Sequence, residues 1–487
     1  MASSSSPPPQ VLKFGILGLE SENSRAVAEA LERSGKCELV AVAGSNTEEW
    51  CAAEDFDKKA VKQYASYDRM LKDDTIDAVY VGVPTRLRRV WSVAAAQNKK
   101  HVLAEKPLGR SAEEALEVMQ ACERNEVLLM DAVAFAHHAR SRAIVTRLRD
   151  ERGFGSSPSR CDASVSFAAK PQFLKAMRTK EREDDPLGVV GDLGWFCAKW
   201  GLLAFGNAAT PVTASARARW QTDFSSQEDE DRDGPPLELT GTVEFDGGQQ
   251  LQLHCSYVHA FRQRLEVCGN GSKVLRCDDF LYPELGPSSN AAFHVCTYAD
   301  PPLHDLDGLV VSADQTHREA ACDQITAMLD AFADLALFKR GDDGGRHAWA
   351  RAAFMTQVIV NALLDSAKLN GQGIAVETPT LLLLEDEEDK HPDDDAPALD
   401  QLGGDAPPPS RDTTTSSKKD AATSPASSQQ KKTSRASSST KRKRVLDDDD
   451  DDDDEPDEDE EEEEPSQRTT RGRASSRKAA TRKGRRH

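Results

Sequence analysis

The sequence predicts an α/β protein in which a doubly wound parallel sheet precedes an α+β domain with a largely antiparallel, open sheet. Residues 11–136 alternate short apolar runs with helical stripes, a pattern typical of βαβ units. From residue 242 onward, apolar and polar residues alternate with a period of two, which indicates antiparallel strands. No Phe, Trp or Tyr follows residue 384, so the last part of the chain is predicted to be a disordered tail.

The first part of the chain contains five predicted strands with helices between them. The stretch 78–83 is apolar throughout, as expected for a strand that is buried on both faces. Ser111 and Glu114 have the spacing of a capping box, which places the start of a helix there. The predicted strands are residues 11–17, 39–43, 78–83, 102–104 and 127–130.

The second part of the chain is predicted to combine strands with a few helices. Residues 265–275 form a predicted hairpin, because two β-rich runs flank the turn sequence Gly-Asn-Gly. We also expect a strand at 160–167, a helix at 192–203, a polar insertion at 223–236, and helices at 321–337 and 348–369.

The domain organisation follows from these changes of pattern. We expect a disordered N-terminus (1–10), a Rossmann domain (11–136), an α+β substrate and dimerisation domain (137–384) and a disordered low-complexity tail (385–487). The formal net charge is −21, and the tail places an acidic tract between two basic blocks. Such blocks are solvated and self-repelling, so the tail is either solubilising or a contact for importin, histones or nucleic acid.

Several classes of protein are excluded by composition. No apolar run approaches the roughly 18 residues of a membrane-spanning helix, and the Ser/Pro-rich start is unlike a secretory signal. The ten cysteines show no CxxC spacing, which favours reduced, buried thiols of an intracellular protein, cytoplasmic or nuclear. We find no paired metal-ligand spacing and no G-x-S-x-G elbow, so neither a metal site nor serine hydrolysis is predicted.

A glycine-rich turn ends the first predicted strand. Gly15 and Gly18 bracket Leu17, and such a turn lets a diphosphate approach the backbone at a helix N-terminus. Glu20, however, occupies a fingerprint position that should be Gly or Ala, and two unit charges 4 Å apart repel by about 4 kcal/mol near a surface. The second strand ends at Ser45, without an acid for a ribose 2′-OH or an Arg for a 2′-phosphate. Dinucleotide binding therefore stays open on these residues alone.

Two further motifs carry a family resemblance. Val83-Pro84-Thr85 ends one strand and Glu105-Lys106-Pro107 ends the next, at the edge of the sheet where ligands bind. With Asp131, residues 137–140, residues 191–195 and the 269–273 hairpin, the chain resembles the glucose–fructose oxidoreductase/inositol dehydrogenase (Gfo/Idh/MocA) family over residues 12–375. The resemblance is nearest to the branch of dihydrodiol dehydrogenase and its plant relatives.

The resemblance implies a site. It implies an NAD or NADP cofactor, a homodimer, Lys106 and Asp192 in catalysis, and a histidine or tyrosine four residues after Asp192. Phe196 stands at that last position, and Arg88 stands where a helical histidine is common. The implied cofactor contacts are Gly15, Leu17, Gly18, Val83, Pro84, Thr85, Glu105 and Lys106, and the implied substrate contacts are His137, Arg140, Asp192, Trp195 and Phe196.

Each residue also has a structural interpretation. Lys106 could be a structural lysine before a proline, and Asp192 could be only the N-cap of its helix. The remaining alternatives are a core histidine at His137, core aromatics at Trp195, Phe196 and Trp200, a surface residue at Arg88 and a structural histidine at His101.

Two hypotheses of function remain. In the first, the chain is an oxidoreductase acting on a sugar-like, polyol or dihydrodiol substrate, with a desolvated Lys106 that titrates near neutrality. In the second, the chain is a catalytically impaired relative that senses a ligand or binds protein or nucleic acid. Glu20, Asn23, Ser45 and Phe196 favour the second hypothesis, because they weaken contacts on which cofactor binding and proton transfer depend.

Overall fold

The computed structural model describes the chain between residues 11 and 378. Residues 46, 54–60, 151–153, 155–156, 175–184, 207, 221–233, 270, 284–290, 299–310, 321 and 338–343 within this range are not described. The predicted N-terminal segment 1–10, the tail 385–487, most of the polar insertion 223–236 and the central residue of the Gly-Asn-Gly turn therefore lie outside the described residues.

The first sheet has six parallel strands in the order β3-β2-β1-β4-β5-β6, which is the order of a Rossmann sheet. Its central strand β1 pairs with both β2 and β4, and the side chains of β4 are all buried. The predicted doubly wound sheet is thereby confirmed. The strands are β1 Leu12–Leu17, β2 Cys37–Ala43, β3 Lys62–Tyr64, β4 Ala78–Val81, β5 His101–Ala104 and β6 Leu129–Asp131.

Helices connect these strands, and local sequence explains where they begin. The side chain of Ser21 caps the helix after β1 by accepting from the N–H of Asn23. Ser111 caps a later helix by accepting from the N–H of Glu114, as its spacing predicts. The helices are α1 Glu22–Arg33, α2 Thr47–Ala53, α3 Tyr67–Leu71, α4 Thr85–Gln97 and α5 Ala112–Arg124.

The second sheet has nine strands in the order β14-β13-β12-β11-β7-β10-β9-β8-β15. Neighbouring strands are antiparallel except for β7 and β10, which are parallel. The predicted hairpin is present as β11 and β12. The strands are β7 Pro158–Ser166, β8 Pro211–Trp220, β9 Pro236–Phe245, β10 Gln250–Ser256, β11 Arg262–Gly269, β12 Lys273–Cys277, β13 Ala291–Tyr298, β14 Val311–Glu319 and β15 Ile374–Ala375.

Four more helices join the two sheets. They are α6 Ala139–Arg149, α7 Trp195–Phe205, α8 Gln324–Leu337 and α9 Gly344–Lys368. Helix α7 is buried almost all round and covers one face of the second sheet at β7 and β10. Helix α8 packs on the first sheet, where the rings of Phe14 and Phe332 lie 5.4 Å apart. Helix α9 contacts β6 of the first sheet and β8 of the second.

The helical segment predicted at 192–203 begins earlier than expected, at residue 188. Residues Val190–Gly194 form a π-helical turn, and the α-helix starts at Trp195. π-turns of this kind are frequently found at functional sites. The turn carries Asp192, which is why it bears on the site described below.

The cysteines are reduced and mostly buried, as their spacing predicts. All ten cysteines are free, and eight of them are buried. Within the part of the chain that the structure describes, no helix is both long and apolar enough to span a membrane.

Candidate active site

The turn after β1 brings two backbones into close contact. Gly18 has φ = +85°, and a Cβ at this position would lie 3.0 Å from the backbone of Gly82. Ser24 of α1 donates to the Gly18 carbonyl at 2.6 Å and fixes the turn against the helix. Glycine is therefore required at position 18 by the close approach of the two loops, and the turn leads directly to the N-terminus of α1, where a diphosphate can be bound. Gly82, which the sequence analysis did not single out, is as necessary to it as Gly18.

Gly15 and Leu17 both belong to β1 rather than to this turn, and their surroundings differ. Gly15 is inside β1, and a Cβ there would lie 2.8 Å from the Met70 side chain. Leu17 is the last residue of β1 and pairs with Ala43 and Val81. The structure thus gives Gly15 a packing role and places Leu17 at the edge where a cofactor would lie.

Glu20 belongs to the turn after β1, and its side chain reaches the end of β2. The Ser45 hydroxyl donates to Oε1 of Glu20 at 2.9 Å, and both residues are exposed. The pKa of Tyr67 is raised, first by burial and then by the Glu20 charge. The end of β2 carries no acid of its own, but Glu20 brings a carboxylate to that place.

Arg88 is buried, which corrects its interpretation as a surface residue. Only 6% of it is exposed, and one guanidinium nitrogen donates to the Val83 carbonyl at 2.7 Å. The other nitrogen donates to the Pro107 carbonyl and to the Thr85 hydroxyl. Arg88 therefore ties the loop after β4, with Pro84 at the N-cap of α4, to the loop after β5. The sequence signal was misleading because arginines on a helix after a strand are usually solvated.

Glu105 connects the end of β5 to β4. Its Oε1 accepts from the hydroxyl of buried Tyr80 at 2.7 Å, and its Oε2 accepts from the Lys106 N–H at 3.1 Å. These bonds hold the backbone that carries Lys106.

Lys106, Asp192 and Tyr257 form a continuous hydrogen-bonded chain. The Lys106 ammonium pairs with Oδ1 of Asp192 and also donates to its carbonyl at 3.0 Å. Oδ2 of Asp192 accepts from the Tyr257 hydroxyl at 2.8 Å. The side chain of Asp192 is 32% exposed and that of Lys106 is 11% exposed, so the pair can be reached from outside. Asp192 is not an N-cap, because Gly194 occupies that position of α7.

The electrostatics of this chain correct one expectation. Burial alone would lower the pKa of Lys106, but the carboxylates of Asp192 and Glu105 outweigh burial and raise it. Burial opposes ionisation of Asp192, yet Lys106 and Tyr257 lower the pKa of its carboxyl. Lys106 therefore stays protonated, and the prediction that it titrates near neutrality is wrong. The sequence could not reveal this, because Asp192, whose charge stabilises the protonated lysine, lies 86 residues further along the chain.

Asp185 is a further carboxylate of the site, beside Asp192 and Glu105, and the sequence analysis did not predict it. Burial and the nearby Asp192 charge raise the pKa of Asp185 to about 6, against the opposing charges of Arg88 and Lys106. Its Oδ1 accepts from the Thr85 hydroxyl at 3.3 Å. The site therefore holds one group that changes charge near neutral pH.

Aromatic side chains surround the charged groups. The Lys106 ammonium lies 4.6 Å from the centroid of the Phe196 ring, a cation–π contact. The rings of Phe167 and Phe173 lie 5.3 Å and 5.2 Å from that of Tyr257. Tyr282, which is 46% exposed, is close enough for Lys106 to affect its pKa, which burial raises. These rings form an apolar wall beside the lysine.

The other predicted substrate contacts lie in the interior. Arg140 is fully buried and pairs with Asp279. The ring of His137 stacks on that of Trp349 at 4.5 Å, and burial lowers the pKa of His137 to about 3. The structure therefore does not bring Arg140 and His137 to the Lys106–Asp192–Tyr257 chain as accessible groups.

Trp195, which is buried, and His101, which is half-buried, likewise bond to other groups. Trp195 donates from Nε1 to Asp131 at 3.0 Å, and that carboxylate also pairs with Lys199 at 2.8 Å. His101 accepts the Leu128 N–H at 2.9 Å, in agreement with its structural interpretation.

The amino-acid sequence is similar to those of known oxidoreductases. Residues 12–132 match the family described as "Oxidoreductase family, NAD-binding Rossmann fold". D-xylose 1-dehydrogenase (NADP(+)) 2 of Haloferax volcanii is 29% identical over 50% of this chain and 70% of its own length. Trans-1,2-dihydrobenzene-1,2-diol dehydrogenase of Xenopus laevis is 26% identical over 45% of this chain and 61% of its own length.

Solved structures share the fold. A 3-ketoreductase from Actinomadura kijaniata, in complex with NADP and TDP-benzene, aligns with a TM-score of 0.58 and 22% identity over 73% of this chain and 98% of that one. An aldose–aldose oxidoreductase from Caulobacter crescentus aligns with a TM-score of 0.59 and 18% identity over 75% of this chain and 100% of that one. The family match and the named relatives confirm the predicted class of NAD(P)-dependent oxidoreductase, and the solved structures share its fold.

Proposed function

We propose that this chain, which residues 12–132 place in the Gfo/Idh/MocA oxidoreductase family, transfers a hydride between NAD(P) and a carbon that bears a hydroxyl or carbonyl. The substrate is a sugar, a polyol or a dihydrodiol. The observation that carries the proposal is the Lys106–Asp192–Tyr257 chain, which lies at the carboxyl ends of parallel strands, where ligands of such sheets bind.

The residues at the edge of the first sheet fit a dinucleotide. Gly18 and Gly82 let the loops after β1 and β4 approach each other closely, and the N-terminus of α1 follows directly. When bound, NAD(P) accepts or supplies the hydride at its nicotinamide ring. The residues that would hold it are Leu17, Gly18, Val83, Pro84, Thr85 and Glu105.

Glu20 sets the choice between NAD and NADP in this proposal. Its carboxylate, held by Ser45 at the end of β2, is where an acid accepts from the ribose 2′-OH in Rossmann domains. A 2′-phosphate would meet this negative charge with no arginine at the strand end to offset it. The chain therefore prefers NAD to NADP.

Lys106 acts on the substrate oxygen. Because its pKa is raised, Lys106 carries a proton at neutral pH and can donate it to a carbonyl oxygen as the hydride reaches the adjacent carbon. Asp192 holds the ammonium in place, and Tyr257 orients the carboxylate through its other oxygen. Tyr257 thus places a hydroxyl in the site, whereas Phe196 offers none. The arrangement favours the carbonyl-reducing direction at neutral pH.

The surroundings favour a ring substrate with neighbouring hydroxyls. Phe167, Phe173 and Phe196 offer apolar rings, while Lys106 and Asp192 offer a donor and an acceptor side by side. Sugars and dihydrodiols combine an apolar ring face with adjacent hydroxyl groups, so they match both features.

Turnover assays test this function. Aldoses, polyols and dihydrodiols, with their carbonyl forms, are screened with NAD(H) and NADP(H) by nicotinamide absorbance. The variant Lys106→Met should abolish the turnover found, whereas the matched control Lys368→Met, which removes an exposed lysine paired with Asp365, should not. Full turnover by Lys106→Met, or no turnover with any of the three classes, would contradict the proposal.

The second candidate is a catalytically impaired relative that senses a ligand or binds protein or nucleic acid. The position of Glu20 in the turn favours it, because a carboxylate there also repels a pyrophosphate. In this case the wild-type chain should bind no nicotinamide cofactor at millimolar concentration. Glu20→Gly should then restore some binding, and its failure to do so would remove the electrostatic argument.

The remaining proposals concern assembly and the tail. By the family resemblance, the chain forms a homodimer through the open face of the second sheet. The basic blocks of the tail, which lie outside the described residues, bind importin, histones or nucleic acid and direct part of the protein to the nucleus. Gel filtration tests the first proposal, and nuclear import with and without residues 385–487 tests the second.

A further inference from the structure

Three potential metal ligands meet on the outer face of the second sheet, away from α7. Along β9 and β10, Leu239 and Leu253 belong to the buried face, and Glu238 and His254 alternate with them on the opposite face. His259 follows β10 and turns back toward the same point. None of these three residues belongs to the proposed active site.

The distances between the three side chains match a metal centre. Oε1 of Glu238 lies 3.2 Å from Nε2 of His254 and 3.7 Å from Nδ1 of His259. One ligand atom from each residue lies within 4.8 Å of the others. Ligand atoms at about 2.0–2.2 Å from a tetrahedral zinc ion are roughly 3.3–3.6 Å apart. We propose that Glu238, His254 and His259 bind a zinc ion.

A simple hydrogen bond does not account for the whole cluster. The Glu238–His254 contact would satisfy one imidazole nitrogen and one carboxylate oxygen. The 3.7 Å contact of His259 with the same oxygen is too long for a hydrogen bond, so the second imidazole is directed at the carboxylate without bonding to it. The two imidazole rings stack, with their centroids 5.4 Å apart, and a metal ion between the three ligand atoms would also account for the approach of the second ring to the carboxylate.

The neighbouring charge orients the carboxylate. Arg219 donates to Oε2 of Glu238 at 3.1 Å and leaves Oε1 for the histidines. Outer partners of this kind commonly fix metal-ligating groups. Two imidazoles and one carboxylate suit zinc rather than calcium or magnesium, which prefer oxygen ligands. His259 is 49% exposed in the single chain, so water can occupy the fourth position provided that the proposed dimer interface on this face leaves His259 uncovered.

The metal would also stiffen a segment of the active site. His259 is two residues beyond Tyr257, whose hydroxyl contacts Asp192 on the other side of the sheet. Binding of His259 to β9 and β10 would fix the segment that carries Tyr257. The metal site itself does not depend on the proposed reaction.

Zinc and cobalt titrations test the site. The full-length chain without an affinity tag is stripped with a chelator and titrated with Zn²⁺ by calorimetry and with Co²⁺ by visible absorbance. We expect one ion per chain at this site and the absorbance typical of tetrahedral cobalt. His254→Ala and His259→Ala should each weaken binding by more than the roughly 10–100-fold that outer-shell changes cost.

A matched control distinguishes zinc binding at this site from zinc binding by other histidines of the chain. His294 of β13 is a partly exposed histidine of the same sheet that lies 3.5 Å from the single carboxylate of Asp314. His294→Ala should bind zinc as the wild type does. His259→Ala changes an exposed residue after the strand, so its folding, checked by circular dichroism, should be unaffected. Wild-type protein that binds no zinc, or unchanged binding by folded His259→Ala, would overturn the proposal.

Discussion

Two lysine–aspartate pairs join the first sheet to the segment around α7, and they differ in what surrounds them. Lys106 follows β5 and pairs with Asp192 in the π-turn, whereas Asp131 ends β6 and pairs with Lys199 of α7. The side chains of the first pair are 11% and 32% exposed, and both side chains of the second are 0% exposed.

The difference lies in the partners and in the access to each pair. All the observed partners of the Asp131 carboxylate are internal, and burial lowers the pKa of Lys199 in spite of that carboxylate. Lys106 has a second acid, Glu105, beside it, and its pKa is raised. The comparison teaches that residue types alone do not distinguish the pair that we propose to react from a structural pair; neighbours and exposure do.

The largest expected effect concerns Lys106. Lys106→Met should lower turnover by about 10²–10⁴-fold, the usual contribution of a general acid, because it removes the ammonium that we propose to protonate the substrate oxygen. The free energy of unfolding should change little, since the pair is partly exposed. Steady-state kinetics and urea unfolding measure the two quantities, and a stability loss without a turnover loss would reverse the assignment.

Lys199 should behave in the opposite way. Lys199→Met leaves a buried Asp131 carboxylate unpaired, which should cost about 3–5 kcal/mol of unfolding free energy. The double variant with Asp131→Leu should recover most of that loss, because two apolar residues replace two buried charges. Urea unfolding measures both variants, and an unchanged midpoint for Lys199→Met would show that this pair is not structural.

Asp185 makes stability depend on pH. Its native pKa of about 6 exceeds the usual value of 3.8, so the native state holds this proton more tightly than the unfolded state. This contribution is fully present below the unfolded pKa and is lost as pH rises through the native pKa, at a cost of about 3 kcal/mol. Asp185→Asn should flatten the stability profile between pH 4 and roughly 8. Identical profiles for both proteins, measured by urea unfolding, would exclude the shift.

Tyr257 should have a smaller effect on turnover. Tyr257→Phe removes one hydrogen bond to the Asp192 carboxylate, and bonds to charged groups contribute about 1.5–3 kcal/mol. We expect kcat/KM to fall by roughly 10–100-fold. Tyr298→Phe on β13 is the matched control and should have full activity. Equal kinetics for the two variants would remove Tyr257 from the mechanism.

The smallest effect concerns cofactor choice. Glu20→Gln removes a charge at the end of β2, and because Glu20 is exposed and screened, we expect NADPH affinity to rise about fivefold relative to NADH. Glu22→Gln, which changes an exposed acid in the first turn of α1, should leave the ratio unchanged. Fluorescence titrations measure the ratio, and no shift with Glu20→Gln would remove its role in cofactor choice.

The sequence predicted those features that depend on local pattern. The apolar run at 78–83 and the Ser111–Glu114 spacing led to a strand and a capped helix that the structure contains. The strand β3 was missed because it has only three residues, none of them fully buried. The motif Glu105-Lys106-Pro107 pointed to Lys106, one half of the pair that we propose to react.

The missed features depend on long-range contacts. Tyr257 and Asp185 carry no local motif, and only the long-range contact of Lys106 with the segment around Asp192 makes them its neighbours. Arg88 was interpreted as a surface residue because its two carbonyl acceptors come from separate loops. The pKa of Lys106 is raised rather than lowered because of Asp192, which is also distant in the sequence.

Titration of the intact chain with NADH and NADPH tests the central claim most directly. Nicotinamide fluorescence and thermal shift are followed without any assumption about the substrate. Our account predicts micromolar binding of NADH and weaker binding of NADPH. No binding of either cofactor at millimolar concentration would contradict it and would favour a non-catalytic role.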